Sequence, residues 1–118
     1  MTVKKFISTT DQMSQLGKNK WYVTRLFELS KDFEVMDIPL DHMNMYYEYK
    51  NLTLRELAGH AVAIRDADLS FPIILDEDGE IMDGRHRLMK SIILEKETIK
   101  AVRFKINPMP CERCDNES

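Results

Sequence analysis

Asp83-Gly84-Arg85-His86-Arg87 brings a carboxylate, a glycine and three basic side chains into five consecutive residues. It lies between an apolar run, Phe71 to Leu75, and a helix-like run, Leu88 to Leu94. A helix start already carries partial positive charge and backbone N–H groups with no intrahelical acceptor. Asp and Glu are therefore favoured in first turns, and Arg and His are not. Basic residues at such a start point to an anion, above all a phosphate, as the group that relieves them. Each residue type suits that chemistry. Gly permits a tight turn and close backbone approach, Arg offers a planar fork of N–H donors, and a carboxylate can hold Mg²⁺ together with phosphate oxygens. Bland readings stand beside these: Asp83 as a turn acid that bonds nearby N–H groups or pairs with Arg87, His86 as a structural hydrogen-bonding residue, and Arg85 as a solvated surface arginine.

The elements that position this turn can be read along the chain. Trp21 and Tyr22 precede a short amphipathic helix expected over Thr24 to Lys31, with Leu26, Phe27 and Leu29 on its apolar side. Phe33 to Leu40 reads as a short strand near a sheet edge, because Pro39 cannot donate to a ladder. Thr53-Leu54-Arg55-Glu56 is a capping box, and Leu54, Leu57, Ala58, Ala61 and Ile64 recur behind it at helical spacing to about Asp66. Ser70 to Leu75 and Glu80 to Met82 flank Asp76-Glu77-Asp78-Gly79, a hairpin turn whose Gly takes φ > 0. The motif helix and a last strand, Ile99 to Phe104, follow. The expected class is α+β, a small mixed sheet packed with helices. Residues 1–20 read as an N-terminal extension, 21–106 as the domain and 107–118 as a polar C-terminal tail.

Composition narrows the functions available. With 118 residues, 43% of them hydrophobic and 31% charged, the chain suits one globular domain. No apolar run approaches the roughly 18 residues of a membrane span, and no apolar h-region follows Lys4 and Lys5, so a cytoplasmic protein is expected. A net charge of −3 argues against extended DNA binding through many phosphates, whereas the patch from Arg85 to Lys90 suits a small anion.

In this setting Asp83-Gly84-Arg85-His86-Arg87-Leu88 resembles the D-G-x-H-R motif of the ParB/sulfiredoxin superfamily. The similarity runs from about Phe33 to Phe104. It covers the strand Val35 to Leu40, the following helix and the hairpin Ile74 to Met82, and it is nearest to the small stand-alone ParB-like proteins of phages and bacteria. The resemblance implies an α+β fold that holds nucleotide phosphates at the turn before the motif helix. Gly84 then admits the phosphate, Arg87 engages it, and Arg85 and His86 lie beside it. Asp83 matches the acid that lies near phosphate or Mg²⁺ in some members. The implied ligand is a nucleoside di- or triphosphate, ATP, ADP or CTP among them. Any turnover would be phosphoryl transfer or nucleotide hydrolysis, with Asp83, His86 and Arg87 as its residues. The alternative is an inactive module of the same fold that contacts a protein or nucleic-acid partner.

Departures from the family exclude some activities. Sulfiredoxins carry a nucleophilic Cys where this chain has Arg85, so thiol-dependent sulfinic acid reduction is not expected. Chromosome-partitioning ParB proteins carry helix-turn-helix and dimerisation segments after the motif, which the residues beyond Phe104 do not match, so a sliding CTP clamp on DNA is not expected. Relatives that act as small-molecule kinases place a general base near the first strand, where Asp37 and Asp41 lie.

Other chemistry-bearing residues read more plainly. Cys111 and Cys114 form one C-x-x-C beyond two prolines, half of a zinc site, in a tail expected to be inert. Asp76, Glu77, Asp78 and Glu80 lack the spacing of an EF-hand and read as a solvated hairpin. Tyr46, Tyr47 and Tyr49 read as packing, His60 as packed beside the apolar face of its helix, and His42 as a loop residue that can approach the site.

Overall fold

The computed structural model describes residues 13–16, 19–46 and 50–113. Along them run β1 (Met13–Leu16), β2 (Asn19–Tyr22), α1 (Val23–Ser30), β3 (Met36–Pro39), a 3-10 turn (Leu40–His42) and α2 (Leu54–Asp66). Then follow β4 (Ile73–Leu75), β5 (Ile81–Asp83), α3 (Arg85–Ile93), β6 (Thr98–Arg103) and β7 (Glu112–Arg113). The α+β class is the one expected. A four-stranded sheet in the order β3-β6-β4-β5 is antiparallel except for the β4–β6 pair, and β1-β2-β7 form a smaller antiparallel sheet. Among the described residues, no helix is long and apolar enough to cross a membrane.

Side-chain alternation along the strands decides what covers each face of the larger sheet. Ile73, Leu75, Ile81, Ile99 and Ala101 point to one face, where Leu88 of α3 joins them with Leu40 and Met43. Ile74, Met82, Val102 and Phe104 point to the other, against Trp21 and against Leu26 of α1. The motif helix is thus held on one face, and α1 with the start of the chain lies on the opposite one. β3 forms an edge, as Pro39 predicts. Leu40 N–H donates to the Glu97 carbonyl at 3.0 Å in register with the β3–β6 pairing, so Pro39, one residue earlier, turns its missing donor outward.

The hairpin before the motif is built by a carboxylate. Asp76 is only 5% exposed, and its Oδ1 accepts from the N–H groups of Asp78 at 2.9 Å and Glu80 at 2.8 Å. Gly79 at φ 86° completes the turn. The solvated reading therefore holds for the exposed Glu77 and Asp78 and fails for Asp76, whose charge is spent on backbone donors.

Both chain ends depart from the expected layout. Strand β1 and the first half of β2 fall within the stretch read as an extension, and residues 108–113 of the expected tail return to meet them. Trp21 Nε1 donates to the Pro108 carbonyl at 3.0 Å, Cys111 N–H donates to the Lys20 carbonyl at 2.8 Å, and Cys111 packs against the cluster around Trp21. Local polarity concealed this because the partners lie far apart in sequence. Cys114 lies outside the described residues.

The capping box of α2 forms as read, with Glu56 N–H donating to Thr53 Oγ1 at 3.1 Å and Thr53 N–H to Glu56 Oε1 at 2.9 Å. Its apolar stripe does not find the core. No residue of α2 is buried, and Leu54 is 86% exposed. The helix is held instead by α3: Lys90 Nζ donates to the carbonyls of Arg65 at 2.8 Å and Ala67 at 2.7 Å at its C-terminal end.

Trp21, 2% exposed, is the hub of the second face. Trp21→Ala is expected to lower the unfolding free energy by about 3–5 kcal/mol, read from the urea midpoint at unchanged m-value.

Candidate functional site

β5 ends at Asp83 and α3 begins at Arg85, so Gly84 makes the whole turn. Its backbone, at φ 120° and ψ 21°, is in the left-handed region. A Cβ here would lie 2.4 Å from Ile73 Cγ2 and 2.8 Å from Ile73 Cβ, so any side chain would push on a fully buried strand residue. Gly84 is therefore required by the fold. No side chain caps α3 and no acid stands in its first turn. The helical ladder starts with Leu88 N–H donating to the Gly84 carbonyl at 2.9 Å. The N–H groups of Arg85, His86 and Arg87 precede it and form the donor end of the helix.

Arg87 is turned inward. Its Nη2 donates to Asp83 Oδ2 at 2.6 Å, and its Nη1 donates to the carbonyls of Pro72 at 2.9 Å and Phe71 at 3.3 Å. Both partners of the ion pair are largely buried. The guanidinium thus joins the chain before β4, the end of β5 and the first turn of α3. The pairing of Asp83 with Arg87, one of the two alternatives open in the sequence, is the one observed.

His86 meets a residue that the sequence set aside as packing. His60 Nδ1 of α2 and His86 Nε2 are 2.8 Å apart, with ring centroids 5.0 Å apart. Burial holds the His86 imidazolium below its ordinary range. The neighbouring His60 and Arg87 push the same way, and Asp83 opposes them. His60 stands out only in three dimensions, since 26 residues separate the two rings.

The remaining expectations are dispersed. Asp37 is exposed on β3, the edge opposite β5, three strand spacings or about 14 Å across the sheet. Asp41 and His42 are exposed in the 3-10 turn, Tyr46 is exposed, and Tyr47 and Tyr49 lie outside the described residues. Among the described residues, no group of three or more His, Cys, Asp or Glu is placed to hold a metal ion. No protein-family model matches the chain, and no curated protein shows significant similarity to it.

Two predictions follow from this geometry. Arg87→Ala leaves the Asp83 carboxylate and two carbonyls unpaired in a buried setting, so it is expected to cost about 3 kcal/mol in a denaturant titration. A His86 pKa below the ordinary 6.5 means that the folded state binds fewer protons than the unfolded chain in acid. This contribution to stability is complete above about pH 6.5 and shrinks as the pH falls below it, which thermal unfolding across that range reads as a falling Tm absent from His86→Gln.

Proposed function

We propose that the turn from Asp83 to Arg87 binds the phosphates of a nucleoside di- or triphosphate, in a small ParB/sulfiredoxin-like domain. The observation that carries the reading is the start of α3: a left-handed glycine, no capping side chain, no acid in the first turn, and Arg85 and His86 beside the leading N–H groups. Such a start is built for an anion. The order of strand, helix, hairpin, motif helix and strand is the order on which the resemblance rests.

The residues divide the work differently from their order in the motif. Arg87, bonded to Asp83 and two carbonyls, positions the turn. The N–H groups of Arg85, His86 and Arg87, with the Arg85 guanidinium, engage the phosphate oxygens. Mg²⁺ would enter with the nucleotide, held mainly by phosphate and water, with Asp83 as the carboxylate at hand. When bound, it would neutralise charge developing on a transferred phosphoryl group. Asp37 is too remote to activate an attacking hydroxyl.

A second reading, an interaction module of the same fold, draws support from α2. Leu54, Leu57 and Val62 are exposed on a helix that buries none of its residues, and an apolar face of this kind favours a protein partner.

Calorimetry with ATP, ADP, CTP and GTP, with and without Mg²⁺, tests the first reading. At least one nucleotide is expected to bind, and Arg85→Ala to weaken it about tenfold, roughly 1.4 kcal/mol. Arg85 is the informative position because replacing Arg87 also damages the fold. Absence of binding by every nucleotide would leave the interaction module.

A further inference from the structure

We propose that His60 and His86 act as one proton-accepting unit, and that an anion bound at the Asp83–Arg87 turn draws a single proton onto it. The proposal rests on the phosphate-binding reading above. It adds a property that the motif alone does not contain, because His60 belongs to another helix.

The 2.8 Å separation of His60 Nδ1 and His86 Nε2 admits one hydrogen between the two nitrogens. In the neutral pair one ring donates and the other accepts. A first added proton goes to the outer nitrogen of the donating ring, His60 Nε2 or His86 Nδ1. The inner hydrogen bond survives and becomes charge-assisted. A second added proton would have to enter between the inner nitrogens, abolishing the bond and setting two cations side by side. The pair therefore takes up one proton readily and resists the next, so its titration belongs to both rings together.

Charged groups of both signs face this unit from the end of β5, from α3 and from α2. From the end of β5, Asp83 favours the cation, but Arg87 already engages it. On α3, Arg87 and burial oppose charge on His86, and Arg85 adjoins it as a further cation. On α2, Glu56 lies one turn before His60, with its Oε1 committed to the capping box. Lys90, one turn after His86, is bonded to the carbonyls of Arg65 and Ala67. Against this balance, an anion within about 5 Å of the pair raises its proton affinity by about a hundredfold at an effective dielectric near 20. By linkage, acid then tightens anion binding. Phosphate bound at this turn would be held most firmly on the acid side of neutrality and released as the pH rises.

Inorganic sulfate is the probe, because its own charge stays constant across the range in which phosphate titrates. Two-dimensional NMR of the histidine rings is expected to show His60 and His86 moving together in one transition, whose midpoint saturating sulfate raises by about two pH units. Exposed His42, the third histidine, is the internal control and should not shift. By calorimetry, sulfate affinity is expected to rise about tenfold from about pH 8 to about pH 6 in the wild type, and less than about twofold in His60→Phe. Independent transitions for the two rings, a midpoint unmoved by bound sulfate, or an equal rise in His60→Phe would overturn the proposal and leave the phosphate reading intact. If neither sulfate nor any nucleotide binds at any pH, both fall. Should His60→Phe fail to fold, the wild-type ring titration decides alone.

Discussion

The Arg87 guanidinium and the Asp83 carboxylate, 2.6 Å apart and largely shielded from water, hold three chain segments in one arrangement. Asp83 closes β5, Arg87 lies in the first turn of α3, and the carbonyls of Phe71 and Pro72 precede β4. A single planar cation can serve all three because its N–H groups diverge in a fixed fork, which an ammonium on a flexible stem does not reproduce. Between the paired residues Gly84 presses on Ile73, so the ion pair and the glycine solve the same packing problem from two sides. The direction in which α3 presents its donor end follows from both.

That constraint reassigns roles within the motif. A buried arginine with three protein partners serves chiefly to position the turn, and leaves the first backbone N–H groups of α3 at its mouth. The same principle appears in the preceding hairpin, where Asp76 spends its carboxylate on the N–H groups of Asp78 and Glu80. In both places a charged side chain that local sequence would leave in water is buried because backbone donors or acceptors converge on it.

α2 is tied to the domain mainly by side chains of α3. Its C-terminal carbonyls accept from Lys90, and its middle meets His86 through His60. Its apolar stripe remains open while β1, β2 and β7 cover the opposite face of the sheet around Trp21. The domain thus concentrates its tight packing at the sheet and leaves beside the motif a helix whose attachment is polar.

Much of this was legible in sequence because its causes are local. The capping box at Thr53 and Glu56, Gly79 in its turn, Pro39 on an edge strand and the uncapped basic start of α3 each follow from a few adjacent residues and the backbone geometry they permit. What depended on long-range proximity was not legible. Helical spacing identified the α2 stripe but not whether anything covers it. The polarity of residues 107–113 concealed their return to Trp21, and nothing near His60 announced His86. The chain alone determined that a basic turn would follow a hairpin and open a helix. Only the tertiary structure decided that Arg87 faces inward and that a second histidine stands 2.8 Å from the first, since both depend on segments brought together by folding.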